Sequence, residues 1–230
     1  MDPEDRSVAA SETLRRLDAL IQSRSILRHP FYVAWQDGAL TRQQLQAYAS
    51  VYYPHVAAFP SYLHAAIATA RDPVIRAELE RNLRDELTVP QPHAELWLDF
   101  AAALDLDRAA VAAAAPQPAA QRVVASFQRL SRQGTPQALA ALYAYESQQP
   151  DVSRRKADGL QRHYGIQDDA AVRYFDVHAV TDLEHRAGEQ RALERCVADG
   201  AAPAAVLAAA GAALDAYWAL LDGVCLAGGM

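Results

Sequence analysis

The stretch Tyr174-Phe-Asp-Val-His-Ala-Val-Thr-Asp-Leu-Glu-His-Arg carries His178, Asp182 and His185 at offsets 0, +4 and +7. On a helix turning by ~100° per residue, these side chains sit at about 0°, 40° and −20°. Two imidazoles and a carboxylate then line one narrow stripe, a donor set that suits iron, manganese or zinc. Asp182 and His185 also form the carboxylate-x-x-His pair used by di-iron helical bundles. A solvated polar stripe on a surface helix has the same spacing, so the stripe alone leaves both readings open.

Three further residues carry the same chemistry. Glu86 and His93 stand seven apart, separated by Val-Pro-Gln-Pro at 89–92, and could point at one site across that break. Glu146 continues an apolar face made by Leu139, Leu142 and Tyr143. Burying it unpaired is costly, so it should meet a cation, a metal or a hydrogen-bond partner. The plainer readings are surface polarity for Glu86 and His93, and a face that ends at Glu146 before Pro150. Taken together, three carboxylates and three histidines suit a two-metal site in a bundle core, with terminal histidines and bridging carboxylates. No thiolate joins them, which disfavours iron–sulfur and structural zinc. A redox metal pair beside several tyrosines suggests oxygen chemistry.

Lys156 is the only lysine; every other basic side chain with a permanent charge is arginine. Arginine keeps its charge but does not deprotonate in proteins. A lone lysine can therefore mark a need for the amine itself, as nucleophile or nitrogen source. Chance survival on a solvated face is the alternative.

These residues need helices to hold them, and the chain is written in helical period. Ala and Leu dominate and strand signals are absent, which predicts an all-α fold. Leu14, Leu17, Leu20 and Ile21 predict a helix over 11–27 capped by Ser11. His29-Pro30 opens or closes a short turn bearing Phe31, Tyr32 and Trp35, and Gly38 is a stop. Thr41 and Gln44 make a capping box for a helix to about residue 69, which Pro54 and Pro60 should kink. Asp72-Pro73 opens the next helix, and another begins near His93. Residues 107–118 read as a connector, followed by helices at 119–133, from Thr135-Pro136 to Glu146, and at 151–164. A long helix runs from Asp168 or Asp169 to about Cys196, and an Ala-rich one from Pro203 to about Asp222, ended by Gly223. The expectation is one domain over 1–230, because neither half holds a complete set of the chemistry.

The net charge of −6 and the lack of a basic stripe argue against nucleic acid. No signal peptide is visible, and the most apolar run, near 201–222, contains Asp215 and is only moderately apolar, which predicts no membrane span. With two cysteines and no disulfide framework, the expected setting is reducing and cytoplasmic.

The pattern Glu86-x6-His93, Glu146 and His178-x3-Asp182-x2-His185 resembles the haem-oxygenase-like dimetal oxidases. Within them it is most similar to the p-aminobenzoate synthases related to the chlamydial protein associating with death domains. His-Pro-Phe-Tyr-Val-Ala-Trp at 29–35, Leu-Gln-Ala-Tyr-Ala at 45–49, Ala-Phe-Pro-Ser-Tyr-Leu at 58–63 and Ala-Leu-Tyr-Ala-Tyr-Glu-Ser-Gln-Gln-Pro at 141–150 carry the likeness from about residue 12 to 222. It implies a seven-helix haem-oxygenase-like (TenA/PQQ-synthase-like) bundle without haem.

The resemblance also implies roles. Glu86, His93, Glu146, His178, Asp182 and His185 fall on the metal positions, for an Fe/Fe or Mn/Fe pair used with O2 and an external reductant. Tyr32 falls on the tyrosine consumed as aromatic precursor, and Lys156 on the amine donor. Tyr48 and Tyr145 fall on tyrosines implicated in radical or electron transfer. The implied activity is a self-sacrificing synthesis of p-aminobenzoate for folate, in a homodimer. The segment Leu-Thr-Val-Pro-Gln-Pro at 87–92 departs from the pattern by its two prolines. Alternatives are a dimetal oxygenase acting on an external small molecule and a death-domain-binding interaction protein. The metal-free pyrroloquinoline-quinone synthases and thiaminase-type relatives share the bundle, but all six metal positions are filled here.

Overall fold

The computed structural model describes residues 3–88 and 90–230. The helices are α1 (Pro3–Ser23), α2 (Pro30–Gln36), α3 (Arg42–Thr69), α4 (Pro73–Thr88), α5 (His93–Ala103), α6 (Arg108–Ala113), α7 (Pro118–Gln133), α8 (Thr135–Glu146), α9 (Gln149–His163), α10 (Asp169–Ala198) and α11 (Pro203–Gly228), with a 3-10 turn at Ile26–Arg28. No strand occurs among the described residues. Nine of these helices have eleven residues or more. That is two more than the seven expected. α2 and α6 are short pieces in connectors.

The caps follow from local chemistry. Thr41 and Gln44 form the reciprocal box at the start of α3. Asp168 accepts from the Ala170 N–H at the start of α10. His29 caps α2, its Nδ1 accepting from the Phe31 N–H at 3.1 Å, with Pro30 at the first helical position. α3 runs unbroken through Pro54 and Pro60, because packing on α5, α7 and α11 holds it where propensity would not.

Several boundaries differ from expectation. α1 begins at Pro3, and Ser11 lies exposed inside it, since the buried face already includes Ala10. It ends at Ser23, four residues short of 27. α9 starts at Gln149, two residues before the expected 151. Thr135 does not cap α8; its hydroxyl donates to the Thr69 carbonyl at 2.9 Å. Gly223 does not stop α11, which continues to Gly228 and closes on Gly229 at φ +70°. A Cβ at 223 would strike that of Ala119, so this glycine serves the close approach of α11 to α7. Against expectation, α11 is long and apolar enough to cross a membrane by length and composition. It packs on α1, α3, α7 and α8, and its buried face belongs to the common core.

That core is one contiguous cluster with members from every helix. Aromatic side chains fill its centre: Trp35, Trp97, Tyr32, Tyr48, Tyr52, Tyr62, Tyr143 and Tyr217 are all fully buried. α10 runs alongside α4, α5, α8 and α9, and so faces the helices that bear the other polar candidates.

Candidate metal centre

The stripe of α10 points inward. His178, Asp182 and His185 are buried, and the two ends of the stripe meet different partners. Glu86, His93 and His178 bring one ligand atom each to within 4.8 Å of one another; Glu146, Asp182 and His185 do the same. All six residues are at most 5% exposed. The expected set is therefore gathered into two neighbouring groups of three.

The break between α4 and α5 makes the first group. On an unbroken helix, residues seven apart lie about 10.5 Å apart along the axis. Here Pro90 and Pro92 end the helix, and His93 becomes the first residue of α5. Its Nδ1 comes within 2.9 Å of Glu86 Oε1. Val89, in the segment whose prolines depart from the family pattern, lies outside the described residues. His178 Nδ1 bonds the Tyr174 carbonyl at 2.7 Å, leaving Nε2 facing Glu86 Oε1 at 3.8 Å. The backbone contact thus selects the nitrogen offered to a metal.

The second group forms at the end of α8. Glu146 is its last residue, and Asn82 donates to both carboxylate oxygens at 2.9 and 3.2 Å. His185 Nδ1 lies 3.2 Å from Glu146 and 3.3 Å from Asp182, while its Nε2 is held 3.1 Å from Asp85. A carboxylate behind an imidazole is the usual second partner of a ligating histidine.

The donor set fits a pair of cations. Neither oxygen of Asp182 accepts a hydrogen bond among the described residues. Glu86 and Glu146 sit at the C-terminal ends of α4 and α8, where the helix dipole opposes a negative charge. Burial works against charging His185, yet the carboxylates of Asp182 and Glu146 push its pKa up to about 11. Burial likewise opposes the Glu86 carboxylate, and His93 and His178 outweigh it, holding its pKa well below the usual range. The pocket draws positive charge strongly. Between the groups lies a space for about one water molecule, bordered by Tyr145, Tyr174, Val56 and Phe59.

A second cluster adjoins the first through rings. The Lys156 amine is 2% exposed and donates to Tyr48 Oη at 2.5 Å. It lies 4.9 Å from the centre of the Tyr32 ring, 5.1 Å from Tyr48, 5.5 Å from Tyr52 and 5.4 Å from Phe175. Burial depresses its pKa well below 10.5, which favours the free base over the charged form. The Tyr32 and Tyr48 hydroxyls are 3.4 Å apart. Tyr145 reaches this cluster through Tyr52, hydroxyl to hydroxyl, at 2.9 Å. Burial raises the pKa of Tyr32, Tyr48, Tyr52 and Tyr145 well above 10, keeping them protonated.

Sequence reasoning did not single out Tyr52, Trp97 or Tyr174. Trp97 stacks on Tyr52 (centroids 5.0 Å) and touches Tyr174 (4.8 Å), whose ring lies 4.1 Å from that of His178. Asn82 and Glu189 were missed as well. Glu189 continues the α10 stripe four residues beyond His185, which is the signal that could have found it.

Comparison with known proteins agrees with this geometry. The model of a family described as iron-containing redox enzymes matches residues 46–218. A 4-aminobenzoate synthase of Nitrosomonas europaea is 38% identical over 227 residues, covering 94% of this chain and 92% of its own. A 4-aminobenzoate synthase of Chlamydia muridarum is 41% identical over 181 residues, 78% of this chain and 76% of its own. Among solved structures, a TenA homologue of Pseudomonas syringae pv. tomato superposes with a TM-score of 0.79 at 20% identity, covering 95% of this chain and 93% of its own, which speaks to fold. The chain belongs to the iron-containing redox enzymes built on the haem-oxygenase-like helical fold, in the company of the 4-aminobenzoate synthases.

Proposed function

We propose that this enzyme makes 4-aminobenzoate from its own Tyr32, with Lys156 as the nitrogen source and two metal ions held by the six-residue centre. The observation that carries the reading is the placement of the only lysine. Its amine is sealed 4.9 Å from the centre of the Tyr32 ring, and both residues are at most 2% exposed. An amine that is charged in water gains nothing from such a site unless the free base is needed.

Glu86, His93 and His178 would hold one ion, and Glu146, Asp182 and His185 the other, as an Fe/Fe or Mn/Fe pair. When bound, the pair supplies oxygen activation, with electrons from an external reductant. The chain's own residues do the rest. Tyr145 borders the space between the two groups and contacts Tyr52 through its hydroxyl, so it can lose an electron while its proton moves along that hydrogen bond. Tyr48 bridges the Lys156 amine and the Tyr32 hydroxyl, and can hand protons between them. The Cα–Cβ bond of Tyr32 would break and Cβ be oxidised to the carboxyl carbon with O2 as oxidant, while the Lys156 Cε–Nζ bond would break as its nitrogen bonds to the ring carbon and the phenolic oxygen leaves as water. The surrounding rings exclude water from the reacting amine.

The space between the metal groups holds about one water, which is smaller than an external aromatic substrate. The test is intact-mass and product analysis after adding Fe(II), with and without Mn(II), in air with a reductant. At most one equivalent of 4-aminobenzoate per chain is expected, with mass changes mapping to Tyr32 and Lys156. Repeated turnover with an unchanged chain mass would assign the centre to an external substrate.

A further inference from the structure

α10 carries one more polar residue on the face that holds His178, Asp182 and His185. Measured from His178, Asp182, His185 and Glu189 fall at about +40°, −20° and +20°. Glu189 is 4% exposed, and neither of its carboxylate oxygens receives a hydrogen bond among the described residues. Burial and the nearby charges of Glu146 and Asp182 raise the pKa of its carboxyl. With Asn82 and His185 it lines a small cavity, whose other walls include Glu78, Arg81 and Gly188. Arg81 does not neutralise it, being paired with Glu78. Glu189 thus adds a third buried carboxylate beside the group of Glu146, Asp182 and His185, whose own ligand atoms lie within 4.8 Å of one another. Each carboxylate costs several kcal/mol to bury in its ionised form unless a cation is supplied.

We propose that Glu189 is a further carboxylate ligand of the ion held by Glu146, Asp182 and His185, and that it makes this position the one that retains the harder ion, Mn(II). The assignment rests on the dimetal reading above. It makes the two positions unlike: one carboxylate with two imidazoles at Glu86, His93 and His178, against three carboxylates with one imidazole here. Imidazole suits iron, and carboxylate suits manganese. A ligand differs from a residue that merely donates a hydrogen bond to Glu146. Glutamine at 189 keeps a donor there but loses the anionic oxygen.

The experiment uses metal-free full-length protein, titrated anaerobically with Mn(II) while free Mn(II) is followed by electron paramagnetic resonance. Glu189→Gln and Glu189→Ala are compared with the natural chain. A second titration uses equal Fe(II) and Mn(II), and bound metal is counted by elemental mass spectrometry. The expected result is two ions per chain in the natural protein. In both variants Mn(II) affinity at one position falls at least tenfold, the Mn:Fe ratio drops, and the other position is unchanged. Glu189→Gln binding Mn(II) as the natural protein does would overturn the ligand assignment, whatever Glu189→Ala does. A natural chain that binds fewer than two ions would instead overturn the dimetal reading beneath it. Circular dichroism of the metal-free variants separates either outcome from misfolding.

Discussion

The Lys156 amine and the Tyr48 hydroxyl stand 2.5 Å apart, and this one contact holds the nitrogen over the aromatic cluster. No other side-chain hydrogen bond to the amine occurs among the described residues, where ring faces lie around it. Tyr48→Phe removes the hydroxyl and keeps the ring. A buried hydrogen bond contributes about 0.5–1.5 kcal/mol net, and losing proton transfer adds to that. The expected outcome is unchanged metal binding with a 4-aminobenzoate yield lowered by about tenfold or more, measured by single-turnover product analysis. An unaltered yield would remove Tyr48 from both positioning and proton transfer.

Lys156 also sets a pH dependence of stability. Its folded-state pKa is depressed by burial, so below 10.5 the unfolded chain binds a proton that the folded chain does not. Stability from this group therefore rises with pH between the depressed folded value and 10.5, and falls as pH drops through that window. Lys156→Met removes the buried amine and its pH term. The variant should be more stable at pH 7, by about 1–3 kcal/mol on the scale for buried polar groups, with the difference shrinking as pH approaches 10.5. Urea unfolding at several pH values measures this. The same variant should make no product, and Lys156→Arg should also make none, since its guanidinium stays charged.

Asp182 separates metal binding from folding. Its carboxylate is buried without a hydrogen-bond donor among the described residues, and burial raises its pKa. Without metal the charge is a liability; with metal it would serve as a ligand. Asp182→Asn should fold at least as stably as the metal-free natural chain. It should also lose the stabilisation that metal gives, which is about 2.7 kcal/mol for an ion at a hundred times its dissociation constant. Thermal unfolding with Fe(II) or Mn(II), and again after a chelator, reads both effects. A metal-induced rise in Tm that survives in Asp182→Asn would place this residue outside the centre.

Much of this arrangement could be read from the chain, for identifiable reasons. The α10 stripe was legible because the helical period maps offsets onto angles. Glu146 stood out because a carboxylate interrupted an apolar face. Glu86 and His93 were legible by type, but their 2.9 Å contact depends on a turn between helices, which spacing does not encode. Glu189 was hidden among the other charged residues of a helix that also carries Glu184, Arg186, Arg191 and Glu194. Trp97, Tyr52 and Tyr174 have the spacing of any aromatic core, and only packing shows that they join the two clusters. Ser11 and Gly223 are ordinary end signals that tertiary contacts overrode.

Gly159 tests whether the docking of α2 on α9 sets the reaction geometry. It lies three residues after Lys156, and the Trp35 indole packs on it. A Cβ there would sit 2.6 Å from Trp35 Nε1, which itself donates to the Lys156 carbonyl at 3.3 Å. Tyr32 lies on the same short helix as Trp35, so this contact fixes the register between the ring and the amine. Gly159→Ala overpacks the seam, at a cost of about 1–3 kcal/mol, and the rigid indole can yield only by moving α2. None of the six metal-centre residues lies on α2 or α9. The expected result is unchanged metal stoichiometry, faster hydrogen exchange over residues 29–36 and a lower yield of 4-aminobenzoate per chain. A Gly159→Ala chain with the exchange pattern of the natural protein and the full yield would show that α2 accommodates the methyl without shifting Tyr32, and that the α2–α9 seam does not tune the chemistry.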